Sequence, residues 1–144
     1  MKNVFVSVEN GATVSVADTT EVLGVRVGST GTPGKYHATM EDIEILVVTK
    51  GNGKKRCLLL ESSGGTANCR NVNSRLERQG AAPGVPNYLA VEIDQISATL
   101  FMQDGTSEVS PATAGADVSQ TSGVLQLSNH ILVTNNANAK GFFS

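Results

Sequence analysis

ATMEDIEILVVTKGNGKKRCLLLES, Ala38 to Ser62, is the stretch on which the fold turns. Two β-forming runs, Ile43 to Thr49 and Arg56 to Glu61, flank a Gly-Asn-Gly turn and are apolar at odd and even positions alike. Successive side chains of an extended chain point to opposite faces, so Ile43, Ile45 and Val47 lie on one side and Leu46 and Val48 on the other. Read as a hairpin, this ribbon needs cover on both faces. The rest of the domain supplies one cover; a loop, another sheet or another subunit supplies the second.

Working outward toward the amino terminus, Val4, Val6 and Val8 alternate with polar residues, as do Ala12, Val14 and Val16. A three-residue loop, Glu9-Asn10-Gly11, pairs apolar with apolar in a half-buried hairpin. Glu21 to Val27 reads as a further strand, with Gly24 marking a bulge or a close backbone approach. Gly28 to His37 is a surface loop. It lacks the Gly-Lys-Ser/Thr ending of a phosphate-binding loop and leads into a strand, where no helix N-terminus awaits a phosphate.

Toward the carboxyl terminus the β pattern lapses between Ser62 and Asn87. Ser74-Arg75-Leu76-Glu77 fits a capping box and Gly80 a stop, which predicts one short helix. Leu89, Val91 and Ile93, then Ile96, Ala98, Leu100 and Met102, pair as a hairpin about Asp94-Gln95 or run as one bent strand. Asp104 to Gly123 holds almost no large apolar residue and reads as a long loop or extended arm. Val124 to Thr134 is the last strand, and Asn135 to Ser144 is an arm tipped by Phe142 and Phe143. The expected fold is all-β: a β-sandwich or jelly-roll-like pair of antiparallel sheets with one short helix and long loops. Residues 1–134 form its single domain and 135–144 the extended arm.

A chain of 144 residues buries a core without metals or disulfides. Aromatics are only 4% and Trp is absent, so that core is small and aliphatic. A net charge of −2 offers no general attraction for nucleic acid or anionic lipid. No run approaches the ~18 apolar residues that span a bilayer, and the amino terminus alternates where a signal peptide would be continuously apolar. The expectation is a soluble protein made in a cytoplasm. Cys57 and Cys69 lack companion ligands for zinc and read as reduced thiols, a disulfide between them being open only in an oxidising compartment. No cofactor is implied.

Candidates for catalysis are sparse. His37 sits in a Gly-rich loop, His130 on the last strand facing solvent or an interface, and no Gly-x-Ser-x-Gly elbow surrounds any serine. Glu41, Asp42 and Glu44 could bind a cation or run hydrolysis, but only Asp42 and Glu44 share a side of a strand, and the trio suits a charged sheet edge. Lys50, Lys54, Lys55 and Arg56, with Arg70, Arg75 and Arg78, gather positive charge without interleaved aromatics to stack bases. A solvated turn or a subunit interface fits them better, with the acidic Glu41 to Glu44 stretch of a neighbouring copy as partner.

The opening VFVSVENGATVSV, the loop TSEVSPATAGADVSQTSG and the closing NNANAKGFFS together resemble, in overall character, the small virion structural proteins of tailed bacteriophages, especially head decoration or cement proteins. The resemblance implies a non-enzymatic virion protein that self-associates, a trimer being one candidate, and stabilises a capsid by binding its major capsid protein. Neither nucleic acid nor membrane is among its expected partners. The interface residues expected are Leu46, Val48, Lys54, Lys55, Arg56, Phe142 and Phe143. The alternative is a carbohydrate- or peptide-binding β-sandwich module, which the shortage of aromatic platforms disfavours.

Overall fold

The computed structural model describes residues 1–9, 21–28, 35–49, 54–78, 88–93, 97–110, 116–120, 122–134 and 140–143, with backbone alone at 78, 88, 116–119, 134 and 140–143. The described strands are β1 Lys2–Glu9, β2 Val22–Gly28, β3 His37–Thr49, β4 Lys55–Glu61, β5 Thr66–Arg78 and β6 Tyr88–Ile93. They continue as β7 Thr99–Gln103, β8 Thr106–Ser110, β9 Ala116–Gln120, β10 Val124–Ser128, β11 Ile131–Thr134 and β12 Lys140–Phe143. Every pairing between them is parallel.

The chain alternates between two sheets. One stacks β1, β3, β5, then β7 with β8, then β10 with β11; the other stacks β2, β4, β6, β9 and β12. Each strand therefore lies on its counterpart from the previous winding, which makes the molecule a parallel β-helix of five coils. In the register of the first sheet, Glu41 lies over Lys2, Arg70 over Glu41, Gln103 over Arg70 and Ser128 over Gln103. Inward-facing residues consequently stack in columns between the sheets. Val47, Leu76 and Val109 form one column; Leu58 and Val91, and Leu60 and Ile93, form others, all within one buried aliphatic cluster.

A corner recurs in every coil of the first sheet. Asn3, Asp42, Asn71, Asp104 and Asn129 all have φ between 50° and 56°, the left-handed region that Asn and Asp tolerate best after glycine. The corner shifts the inside–outside alternation by one residue. In β3 the buried positions are Met40 before it and Ile43, Ile45 and Val47 after it; in β5 they are Ala67 and Cys69, then Val72, Ser74 and Leu76. The sequence repeats accordingly: Met1-Lys2-Asn3-Val4, Met40-Glu41-Asp42-Ile43, Cys69-Arg70-Asn71-Val72, Met102-Gln103-Asp104-Gly105 and Leu127-Ser128-Asn129-His130. Gly105 departs from the aliphatic at the fourth place because a Cβ there would lie 2.3 Å from the carbonyl oxygen of Val72.

This architecture corrects the expected antiparallel sandwich or jelly roll. Ile43 to Thr49 and Arg56 to Glu61 do not pair as a hairpin; they belong to different sheets, and the Gly-Asn-Gly turn lies outside the described residues. Strands covered on both faces read as continuous apolar runs, which is the signature of parallel sheets as much as of a covered hairpin. The expected helix at Ser74 to Glu77 is part of β5, bonded to β3 on one side and β8 on the other. Among the described residues there is no helix.

Other segments are corrected in the same sense. Of the lapse expected from Ser62 to Asn87, Thr66–Arg78 is β5 and 79–87 lie outside the described residues, and the supposed loop from Asp104 to Gly123 contains β8 and β9. The last strand is two, broken at the Asn129 corner. β1 pairs with β3, and its expected hairpin partner, Ala12 to Val16, lies outside the described residues. Leu89–Ile93 and Leu100–Met102 sit in different sheets, with the Asp94-Gln95 turn outside the described residues. Within the expected terminal arm, the backbone of Lys140–Phe143 joins the second sheet beside β9.

Candidate functional site

Buried charge gathers on one face of the second sheet. Leu58, Leu60, Val91 and Ile93 point into the core, so alternation turns Leu59 and Glu92 away from it. Glu92 is nonetheless only 1% exposed and receives two cations. Lys54 Nζ lies 2.6 Å from its Oε1, and Arg56 donates from Nε to its Oε2. Arg56 also donates from Nη1 to Glu21, whose carboxylate meets Arg26 at 3.9 Å, and Arg26 in turn lies 3.3 Å from Glu61. Three cations and three carboxylates thus run across β2, β4 and β6 and their flanks as one line of pairs, from Lys54 to Glu61. A carboxylate clamped by two cations is neither a free base nor an open metal ligand. Its consequence is structural: it ties three successive coils in register.

A second polar pair interrupts the core of the first sheet. Ser74 and Ser107 occupy one column above Ile45, both buried. Ser107 Oγ lies 2.8 Å from His130 Nε2, within the reach of a nucleophile and its base. The hydroxyl has no solvent exposure, however, and no carboxylate orients the ring: Nδ1 of His130 is buried without a hydrogen-bond partner, as is Ser74 Oγ. Burial holds the His130 imidazole below its ordinary pKa. The pair fills a polar gap in the core and presents no catalytic surface. His130, read from the sequence as a solvent-facing or interface residue, is half-buried.

The acidic trio does not form a sheet edge, because β3 is flanked by β1 and β5. Glu41 pairs with Lys2 at 3.1 Å and Asp42 accepts from Asn71 at 2.9 Å. Among the described residues no cluster of three His, Cys, Asp or Glu side chains could hold a metal. Cys57 and Cys69 are free and buried. No described helix is long and apolar enough to cross a membrane.

Of the residues singled out in the sequence, Lys55 and Arg56 are buried within the chain, and Lys54 is committed to Glu92. Leu46 lies half-buried between Ser7 and Arg75, and Val48 between Glu9 and Glu77. Phe142 and Phe143 take register positions beside Val118 and Ser119. His37 is exposed at the start of β3. No family model, curated protein or solved structure matches the chain.

Three surface features remain open to partners. A shallow groove of about 240 Å³ on the first sheet is lined by Thr39, Glu41, Asn68, Arg70, Phe101 and Gln103. A hollow of about 450 Å³ lies below the start of β3, among Met1, Val25, Val27, Tyr36 and Ala38, where the first coil supplies only Met1 and Lys2 beneath the strand. The third is the pair of coil ends. Phe5 in β1 is 58% exposed, Ile131 in β11 59%, and Leu127, which continues the inward column of Met40, Cys69 and Met102, 39%. Sequence reasoning looked for interface residues in the middle ribbon and the terminal arm and missed these ends.

Proposed function

We propose that this chain is a non-enzymatic structural protein that self-associates, in the role of a virion component that decorates or stabilises a capsid. The observation that carries the reading is the character of the two outermost coils. Among the described residues, β1 on one end and β10 with β11 on the other pair on one side only, and both leave large apolar side chains in water. Unpaired strand edges are templates for another chain, and solenoids ordinarily blunt them with polar caps. Among the described residues, the buried ion pairs and the enclosed Ser107 leave no reactive group convergent on an open cleft, which suits a scaffold. Sedimentation velocity over a hundredfold range of protein concentration tests it. Mass that grows with concentration supports the reading, and a monomer throughout overturns it.

A second reading is favoured by one feature. Phe101 beside Asn68, Arg70 and Gln103 gives a stacking face flanked by hydrogen-bonding groups, the arrangement a sugar requires. A glycan array tests that reading, and a signal abolished by Phe101→Ala would place carbohydrate binding on the groove.

A further inference from the structure

We infer that copies of this chain stack head to tail, the last coil of one continuing into the first coil of the next, with β11 pairing in parallel with β1. The inference rests on the self-associating reading above and names the surface that performs it. Three observations carry it, and each concerns a different property of the two ends.

The first is register. Phe5, Glu44, Asn73, Thr106 and Ile131 occupy one outward column, rung by rung. A further coil in the same winding sets Phe5 of the next copy over Ile131, so the most exposed large apolar side chains of β1 and β11 cover each other. The same step sets Val6 over Leu132 and Met1 over Leu127, extending the inward columns. Within each sheet every pairing is parallel, so translation along the axis keeps each new pair parallel.

The second is the corner ladder. Both ends finish on asparagine, Asn3 below and Asn129 above, each with left-handed φ. Stacking places one neutral amide on another, as in the amide ladders of stacked sheets, and sets no carboxylate on a carboxylate. Along the ladder Asn and Asp alternate and the upper corner donates to the one beneath it, Asn71 to Asp42 and Asn129 to Asp104.

The third is charge. The inner coils carry Glu41, Asp42, Glu44, Arg70, Arg75, Glu77 and Glu108 on the first sheet, whereas Asn3 to Val8 and Val124 to Thr134 contain no Asp, Glu, Lys or Arg. Edge strands that must stay unpaired in water usually bear charge, especially lysine. Here most of the first sheet's charge sits where strands are already covered, and β1 carries charge only at its two ends, Lys2 and Glu9. The two ends are electrostatically compatible, since no like charges meet along β1 and β11.

A head-to-tail contact joins two different surfaces, so it does not close on itself and builds an open row. That property supplies the test. Phe5→Lys and Ile131→Lys each place an ammonium in the contact at an outward, exposed position, where folding is unaffected; unchanged circular dichroism and thermal midpoint verify this. Alone, each variant sediments as a monomer, with association weakened at least about tenfold by the cost of burying the charge. Mixed in equal amounts, they form a dimer of twice the monomer mass and nothing larger, because each retains one intact end. Either variant assembling by itself, or the mixture staying monomeric, overturns head-to-tail stacking while wild-type assembly leaves the structural role standing. A wild-type chain that is monomeric at every concentration overturns both. The same pair as Phe5→Glu and Ile131→Glu repeats the test with opposite charge.

Discussion

Asn71 donates from Nδ2 to Oδ1 of Asp42 at 2.9 Å, one left-handed corner bonded to the corner beneath it. Asn129 does the same to Asp104 at 2.8 Å. Each bond joins two coils at the point where the chain bends, so backbone conformation and inter-coil pairing are secured by one side chain. Alanine at 71 keeps neither the bond nor an easy left-handed φ, and the conformation alone costs roughly 1–2 kcal/mol. Asn71→Ala is therefore expected to lower stability by about that amount in urea titration, and Asn71→Gly, which accepts the φ, by less. Equal losses for the two would show that the bend does not depend on left-handed tolerance.

Glu92 is the charge on which the second sheet depends. Removing it leaves Arg56 buried with only the half-exposed Glu21 as partner. Breaking a buried pair from one side costs roughly 3–5 kcal/mol, whereas an exposed pair contributes about 0–1 kcal/mol. Glu92→Ala should accordingly destabilise far more than Glu21→Ala, and replacing Glu92 and Arg56 together by Leu should recover most of the loss. The check is a set of chemical denaturation curves for the three variants.

Much of the secondary structure was legible: the runs about Val4, Val25, Ile45, Leu59 and Val91 are strands. Their partners were not. Gly-Asn-Gly between two apolar runs is a hairpin signal by local chemistry, and nothing local to Thr49 or Lys55 says that the chain leaves one sheet for another. The deciding evidence was a repeat, Asn3, Asp42, Asn71, Asp104 and Asn129 each following an apolar-polar pair. Its unequal steps along the sequence hid it from a search for fixed period. Polar outward residues such as Asn68, Asn73 and Arg75, together with the buried Ser74, made β5 look irregular, although only one residue in two must be apolar on a strand with one face outward. The candidate site was less legible still. Lys54 and Arg56 read as part of a solvated turn or a subunit interface because their partner, Glu92, is distant in sequence and adjacent only through the register of β4 with β6.

Cys57 and Cys69 are enclosed on different sheets, and burial raises both thiols, Cys69 to about 12. The thiolate is the reactive form, so neither side chain should be alkylated by iodoacetamide in the native protein near neutral pH. Labelling should follow unfolding, rising with urea along the same curve as the loss of β-sheet circular dichroism. Rapid modification of Cys69 without denaturant would contradict its enclosure beneath the first sheet.

His130 makes stability depend on pH. Its ordinary value is 6.5, and desolvation lowers the folded one, so the unfolded chain binds the proton more readily. The contribution is complete above the unfolded value and is lost as pH falls through the folded one. Protonation would also place a charge beside Ser107, whose hydroxyl is the partner of Nε2, and beside a core that offers Nδ1 no hydrogen bond. The urea midpoint should therefore drop between about pH 7.5 and pH 5, and His130→Gln, which keeps a polar contact for Ser107 but does not titrate, should flatten that drop. A slope that survives the substitution unchanged would assign the pH dependence to another group.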